Sequence, residues 1–163
     1  MAKDPKKSGA VEAADDAEIQ VRVVGQFIKD LSFENPNVGK MLEGPGDNPN
    51  LKIEVNVNAN QMGPDLYGSD IEFSAVASSK AGKIYELELV YGGLFKIESM
   101  PPQALEPFLL INCPALIFPF ARRLIADITR EGGFPPLLLD PIDFSQLYLS
   151  KRQQVAGNDK KPN

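Results

Sequence analysis

The 163-residue sequence contains no histidine, no tryptophan and a single cysteine, Cys113. The lack of histidine removes the commonest general base, the commonest zinc ligand and the base of every Ser–His or Cys–His nucleophile pair. The single cysteine excludes an intrachain disulfide, as is typical of proteins from a reducing compartment. An enzyme of this composition would depend on carboxylates, lysine or a cofactor, and the sequence predicts no metal site and no cofactor.

Long apolar runs are also lacking. The most apolar stretch, residues 108–120, is interrupted by Asn112 and two prolines, and it is shorter than the roughly 18 apolar residues that a membrane-spanning helix needs. The first 18 residues contain no apolar segment of the kind found in a secretory signal. These features predict a soluble cytoplasmic protein without direct insertion into a membrane.

The excess of acidic residues lies in the middle of the chain. Residues 18–150 contain 10 Lys and Arg against 17 Asp and Glu, a net charge of −7, whereas residues 151–163 carry a net charge of +3. A negatively charged body repels nucleic-acid phosphates and attracts basic partners. The charge distribution therefore argues against nucleic-acid binding and favours unfolded, positively charged polypeptide as a partner.

The two ends of the chain differ in composition from the middle. Residues 1–17 and 155–163 are polar and have no apolar periodicity, so we predict a disordered N-terminal tail and a disordered C-terminal tail. Residues 18–154 contain no repeat and no linker that would divide them. We predict that they form one domain.

Four segments in the first half have the period-two alternation of β-strands. In residues 51–59, for example, Leu51, Ile53 and Val55 fall on one face, while charged and amide side chains fall on the other. The first strand is longer and less regular, and Gly25 lies where a bulge would shift its facing pattern. Short connections between the segments predict an antiparallel sheet. The predicted strands are residues 19–33, 51–59, 70–79 and 83–91.

The second half is predicted to be helical between proline-rich loops. Pro107 argues against a single long helix in the first part of this region, and a helix starting near Pro114 is expected to kink or restart at Pro119. A final helix begins at Asp143, which is spaced from Gln146 as in a capping box. Strands followed by helices predict an α+β fold, a four-stranded antiparallel sheet with helices packed on one face.

Large apolar residues on the last strand leave one question open. Tyr85, Leu87, Leu89 and Tyr91 share a face, and a single layer of helices covers only one side of a sheet. These residues either face the helices or pack against the sheet of another subunit. Apolar residues on both faces of the sheet favour oligomerisation.

Four segments together resemble the SecB family of export chaperones. Residues 27–36 (FIKDLSFENP) are similar to the family's opening strand, and residues 88–95 (ELVYGGLF) to the strand that contains its Gly-Gly pair. Residues 113–122 (CPALIFPFAR) resemble its Cys-Pro helix, and residues 132–144 (GGFPPLLLDPIDF) resemble its proline-rich loop. The four segments occur in the family's order and cover most of residues 19–150.

The resemblance implies a homotetramer built as a dimer of dimers, without a cofactor and without enzymatic activity. It further implies a cytoplasmic molecular chaperone that binds unfolded preproteins, keeps them translocation-competent and delivers them to the translocase ATPase SecA. In the family, acidic residues of the sheet contact a basic, zinc-bearing tail of SecA, and that zinc belongs to SecA. The implied SecA-binding residues here are Asp30, Glu34 and Glu88, together with Glu86, which occupies a commonly apolar position.

The same resemblance implies a long apolar groove for the precursor between the proline-rich loop, the final helix and the sheet. Apolar contacts are non-directional and accept many sequences, while exposed backbone can pair with an added strand. For the implied groove and the implied oligomer interface alike, packing in the protomer's own core is the alternative. The implied groove residues are Leu51, Ile53, Val55, Phe134, Leu137, Leu139, Phe144 and Tyr148. The implied oligomer interface comprises Leu87, Leu89 and Tyr91.

Two other functions compete with this interpretation. An enzyme could use Asp140 with Asp143, or Asp70 with Glu72, but helix capping and the polar face of a strand already account for these residues. A SecB-like chaperone with other clients, for example toxin–antitoxin proteins, would not deliver to SecA. The acidic pattern of the first and last strands favours SecA delivery over that alternative.

Overall fold

The computed structural model of the chain describes residues 17–43 and 49–158. Within them, four strands form one antiparallel sheet in the order β1-β4-β3-β2, so that β1 and β2 are the edge strands. The helices pack on one face of this sheet, and the predicted α+β fold is confirmed. The strands are β1 (Gln20–Glu34), β2 (Asn50–Gly63), β3 (Leu66–Ser79) and β4 (Gly82–Glu98). The helical segments are α1 (Val38–Met41), α2 (Pro102–Pro107), a π-helical turn (Phe108–Asn112), α3 (Cys113–Glu131) and α4 (Phe144–Asn158).

Three of the four strands are longer than their alternation predicts. The prediction ends β2 at residue 59, whereas its pairing with β3 continues through Gln61 and Tyr67 to a turn in which Asp65 has a φ of 55°. β4 continues past its two central glycines to Glu98, and Phe95 is buried there on the helix side. Because these strands are longer, the sheet extends further at both ends, and different groups of side chains can lie at each end.

The first strand is irregular at two places. Its register shifts beside Gly25, as predicted, and again beside Lys29. Lys29 reaches over β4, and its Nζ lies 2.6 Å from the Asp70 carboxylate on β3. Gly92 of β4 lies beneath this ion pair, where a Cβ atom would come within 2.6 Å of the Asp70 carboxylate and 2.9 Å of the Phe27 ring. Glycine is therefore required where the ion pair crosses the sheet.

The chain is helical without a break from Pro102 to Glu131. The prediction that Pro107 prevents one long helix is wrong, because the chain widens there into a π-helical turn instead of leaving the helix. Buried Ser69 holds this turn against the sheet, since its hydroxyl donates a 2.8 Å hydrogen bond to the Leu109 carbonyl. The helix also continues through Pro119.

This helical segment is long and apolar enough to cross a membrane by the criteria of length and composition alone. On one side of α3, however, Ile117, Ala121 and Ile125 are buried against the sheet. Arg122 and Arg123 lie beside them on the exposed side. Burial of one side and charge on the other are typical of the core helix of a folded domain, and we interpret the segment as such.

The sheet face beneath the helices forms the core. Leu87, Leu89 and Tyr91 lie there, and none is more than 7% exposed. The predicted role of these three residues in an oligomer interface is therefore wrong, because the protomer's own helices already cover them. Exposed apolar residues do occur on β1 and α3, and they include Val21, Val23, Ile28, Leu31, Leu116 and Phe120.

The last helix begins as its sequence predicts. The Asp143 carboxylate accepts a 3.1 Å hydrogen bond from the Gln146 backbone N–H, which is the N-cap half of a capping box. The helix continues to Asn158. The prediction of disorder from residue 155 is therefore wrong for residues 155–158, since no proline interrupts them and the single Gly157 is tolerated in a helix. Of the predicted tails, residues 1–16 and 159–163 lie outside the described residues.

Candidate functional site

The sheet face opposite the helices carries a group of carboxylates, here called the acidic face. β1 contributes Asp30 and Glu34, and β4 contributes Glu88, all of which were predicted and are exposed. Glu54 of β2 and Glu72 of β3 belong to the same face and were missed as site residues, although the alternation of their strands placed them on the polar side. Asp30, Glu54, Glu72 and Glu88 line a shallow cavity of about 230 Å³.

Most carboxylates of the acidic face are not neutralised by a nearby cation. Within residues 17–43 and 49–158, Asp30, Glu34, Glu72 and Glu88 form no ion pair with lysine or arginine. Glu72 accepts a 2.6 Å hydrogen bond from Asn58, which leaves its charge in place. A surface of uncompensated like charges attracts a basic partner and steers its approach.

Glu86 differs from the other predicted acidic residues. It is half-buried, and its carboxylate pairs with the ammonium group of Lys83, three residues earlier on the same strand. In the sheet register Glu86 lies directly opposite Glu34 of β1. The carboxylate at the commonly apolar position is thus neutralised within the chain.

An apolar cavity of about 590 Å³ opens at the end of the sheet where the loop after α3 meets β2 and the β3–β4 hairpin. We call it the loop cavity. Two of its lining residues, Leu51 and Phe134, were predicted. Several others come from the segment after β1 and from the β3–β4 hairpin, which are distant in sequence from these two residues, and strand and helix periodicity did not indicate them. The lining residues missed by sequence reasoning include Val38, Leu42, Ile84 and Tyr85.

Three aromatic rings hold the loop after α3 against the sheet. The Tyr85 ring centroid lies 5.7 Å from that of Phe33 and 5.1 Å from that of Phe134. Gly132 packs on the Phe33 ring, which leaves no room for a Cβ atom, and Gly133 has a φ of +89° that favours glycine. The two glycines thus let the loop turn sharply and bring Phe134 back over the sheet.

The predicted groove residues divide into accessible and buried groups. Leu139 and Phe144 are 8% and 3% exposed, and the Phe144 ring packs edge-on against Phe118 at 5.8 Å. Their predicted place in the groove is wrong, because the protomer's own core covers both side chains. The exposed or half-buried members of the set are Leu51, Ile53, Val55, Phe134 and Leu137.

Tyr148 lies at a separate opening near the C-terminal half of α4. Its ring is largely buried, yet it lines a cavity of about 470 Å³ together with Leu110 and Val155. Lys151 lies beside this cavity and donates a 3.4 Å hydrogen bond to the Val57 carbonyl of β2. Tyr148 and Leu51 line different cavities, and the cavity at Tyr148 shares Glu106, Leu110 and Lys151 with a further cavity along β2.

Three of the four carboxylates considered for catalysis have structural partners. Asp70 is held in the ion pair with Lys29, and Glu72 accepts the hydrogen bond from Asn58. Asp143 caps α4. Cys113 is fully buried, and its burial raises the pKa of the thiol to about 12. These contacts account for Asp70, Glu72 and Asp143 without a catalytic role, and burial does so for Cys113.

Comparison with known proteins identifies the family of this chain. The family model described as "Preprotein translocase subunit SecB" matches residues 14–155. The protein-export protein SecB of Methylocella silvestris is 45% identical over 148 residues, which cover 90% of this chain and 91% of that protein. SecB of Afipia carboxidovorans is 44% identical over 162 residues, covering 96% of this chain and 97% of that protein. The chain belongs to the SecB family.

This SecB chain also has a structural relative of low identity. A SecB-like chaperone of Mycobacterium tuberculosis, solved in complex with a peptide from the HigA1 antitoxin, superimposes with a TM-score of 0.59 at 13% identity. The match covers 77% of this chain and 91% of that one, and it concerns the fold alone. Family membership makes this SecB chain a chaperone of protein export.

Proposed function

We propose that this SecB chain binds unfolded precursor proteins in the cytoplasm, keeps them translocation-competent and delivers them to SecA. The observation that carries the proposal is the opposite character of the two sheet faces. The loop cavity and the exposed start of β2 offer apolar surface on the helix side. The acidic face offers uncompensated carboxylates on the other side.

The helix side suits an unfolded precursor for two reasons. Leu51 and Ile53 are 41% and 40% exposed beside the loop cavity, and such apolar contacts accept many side chains without strict geometry. In addition, β2 is an edge strand, so one side of its backbone is not paired within the sheet. An extended precursor can add to this edge as a further strand while its side chains enter the cavity.

The acidic face suits a basic segment of SecA. Asp30, Glu34 and Glu88 match the family positions that contact SecA, and Glu72 enlarges the same negative surface, whereas Glu54 is paired with Lys52 at 3.1 Å. Attraction between complementary surfaces raises the association rate and selects for partners of opposite charge. We therefore assign SecA binding to this face and not to the groove.

We also propose self-association into a dimer of dimers through β1 and α3. Leu116 and Phe120 of α3 are 49% and 50% exposed, and Ile28 and Leu31 of β1 are 45% and 40% exposed. Exposed apolar side chains on neighbouring elements are typical of subunit interfaces. The proposed interface thus consists of surface residues of β1 and α3. It does not include the β4 residues predicted from sequence, which lie in the core.

The proposal is tested by measuring binding of SecA and of a denatured precursor to the same variants. Asp30→Asn combined with Glu88→Gln is expected to weaken SecA binding by about tenfold or more and to leave precursor binding unchanged. Leu51→Ser is expected to weaken precursor binding and leave SecA binding unchanged. The double variant Glu131→Gln with Asp140→Asn is the control for the acidic face, and Leu149→Ser is the control for Leu51, since all three residues are exposed and lie outside the two surfaces.

Each result separates the candidate functions. Precursor binding without SecA binding by the wild-type protein would favour the SecB-like chaperone with other clients. A wild-type protein that binds neither partner would contradict the chaperone proposal altogether. If the acidic-face variant and its control lost equal amounts of SecA binding, the assignment of SecA to that face would be wrong.

A further inference from the structure

A pair of like charges meets on the acidic face at the end near the β3–β4 hairpin. Glu34 of β1 and Glu86 of β4 are direct partners in the antiparallel register. Side chains in such positions lie close together, and like charges directly opposite one another are destabilising. The sheet therefore needs a cation at this point or a partner that supplies one.

Lys83 supplies that cation from within the chain. Its ammonium group pairs with the Glu86 carboxylate, and the two side chains remain 43% and 27% exposed. The pKa of Lys83 is raised, first by the hydrogen bond to Glu86 and then by the charge of Glu86, with smaller contributions from Glu34 and Glu88. Lys83 thus acts electrostatically on three of the four predicted SecA-binding carboxylates.

The backbone of Lys83 is fixed in a way that keeps the ammonium group at this place. The Asn37 side chain donates a 2.9 Å hydrogen bond to the Lys83 carbonyl. The preceding residue, Gly82, has a φ of +117°, a conformation that other residues rarely adopt. A Cβ atom at Gly82 would also lie within 3.2 Å of the Asn37 amide. The hairpin is therefore anchored to the segment after β1, with Lys83 directed to the acidic face.

We propose that Lys83 is an internal counter-ion that sets how strongly the acidic face binds a basic polypeptide segment. A lysine or arginine of the partner that approaches Glu86 must displace Lys83 or share the carboxylate with it. As long as Lys83 holds Glu86, the face presents one negative charge fewer at its hairpin end. This inference deepens the proposed binding of SecA and rests on it for the identity of the natural partner.

The test uses two probes, an oligolysine peptide and SecA, at an ionic strength of about 0.05 M, where exposed charges are weakly screened. Lys83→Met is expected to tighten binding of both probes by about three- to fivefold, the effect of one exposed ion pair. The double variant Lys83→Met with Glu86→Gln is expected to return to within about twofold of wild type, because the freed carboxylate is then absent.

The matched control is Lys96→Met. Lys96 pairs with Glu98 at 3.1 Å on the same sheet face, and its side chain is 41% exposed. It is eight residues from Glu88 along β4, a separation of roughly 26 Å that exceeds the Debye length. The control makes the same change in net charge and is expected to alter binding by less than about 1.5-fold.

The outcomes separate this inference from the proposed function. Equal effects of Lys83→Met and Lys96→Met, or tightening that persists without Glu86, would overturn the role of Lys83. Oligolysine binding that responds as expected while SecA does not bind at all would retain the role of Lys83 and remove SecA as the partner. Urea unfolding of each variant distinguishes a stability effect from a change in binding, since a merely structural lysine would not tighten either probe.

Discussion

At the residue scale, burial determines the reactivity of the single thiol, that of Cys113. Cys113 is the first residue of α3 and is 0% exposed, and its burial raises the thiol pKa from 9.0 to about 12. The reactive thiolate is therefore almost absent at pH 8 in the folded protein. Cys113 behaves as a small apolar residue of the core.

We predict that Cys113 is protected from thiol reagents until the protein unfolds. At pH 8, reaction with Ellman's reagent should be negligible in buffer and complete in 6 M guanidinium chloride. The raised pKa also makes the free energy of unfolding depend on pH. Below about pH 9, the pKa of the thiol in the unfolded chain, the full free energy of unfolding is retained. It falls as the pH rises from 9 toward 12, because the unfolded chain then releases a proton that the folded chain retains. Rapid reaction in buffer would contradict the burial of this thiol.

At the scale of secondary-structure elements, the π-helical turn is the point at which the long helix is bonded to the sheet. Ser69 is fully buried on β3, and its hydroxyl satisfies the Leu109 carbonyl in the middle of the continuous helix. This bond joins the helical layer to the sheet within the π-helical turn, two residues after Pro107. A single serine thus connects the irregular part of the helix to the most regular part of the fold.

We predict that Ser69→Ala lowers the free energy of unfolding by about 1–3 kcal/mol, because it leaves a buried carbonyl without its donor. Ser74→Ala is the control, since Ser74 lies on the same strand but on the opposite, polar face. The measurement is urea unfolding followed by circular dichroism. Equal stability of the two variants would show that the bond to Leu109 contributes nothing to the fold.

The pattern of apolar and polar residues within each segment predicted most of the strands and helices of this fold. Alternation placed four strands and their faces, and the spacing of Asp143 and Gln146 predicted the start of α4. It did not predict that the chain stays helical through Pro107, because the widening into a π-helical turn is not encoded in the local pattern of apolar and polar residues. Nor did it distinguish the buried side of α3 from the exposed Phe120, since apolar residues occur on both sides in the N-terminal half of this helix.

The candidate site was predictable to different extents on its two faces. The resemblance to the SecB family, and not alternation alone, identified Asp30, Glu34 and Glu88 as candidate site residues, and the structure places all three on the acidic face. The loop cavity depends on contacts among loops, a hairpin and a strand end, and no local period encodes its use of Val38 or Ile84. Leu139 and Phe144 were misplaced, because apolar residues that line a groove and those that fill a core have the same composition.

At the scale of the whole molecule, the protomer leaves apolar surface uncovered on β1 and α3. Phe120 is half exposed near the middle of α3, and Leu31 is 40% exposed on the edge strand. These positions differ from the core residues of β4 in that substitution there does not open a cavity. They therefore allow assembly to be tested separately from folding.

We predict that the wild-type chain is a tetramer in light scattering coupled to size exclusion. Phe120→Glu and Leu31→Glu should each reduce the mass, because a charge cannot be buried unpaired at an apolar interface. Leu149→Glu is the control, as Leu149 is 55% exposed on α4, outside this surface. A monomeric wild type, or tetrameric Phe120→Glu and Leu31→Glu variants, would contradict assembly through β1 and α3.

The sheet is one layer thick, and its two faces are occupied differently. Side chains of β2 alternate between the loop cavity at Leu51 and the acidic face at Glu54. A polypeptide lying in the cavity therefore leaves the carboxylates uncovered. Under the functions proposed here, cargo and motor do not compete for the same atoms, and a loaded chaperone remains as recognisable to its motor as an empty one. Docking of the motor on the acidic face covers none of the residues that line the loop cavity, so release of the cargo requires a further step.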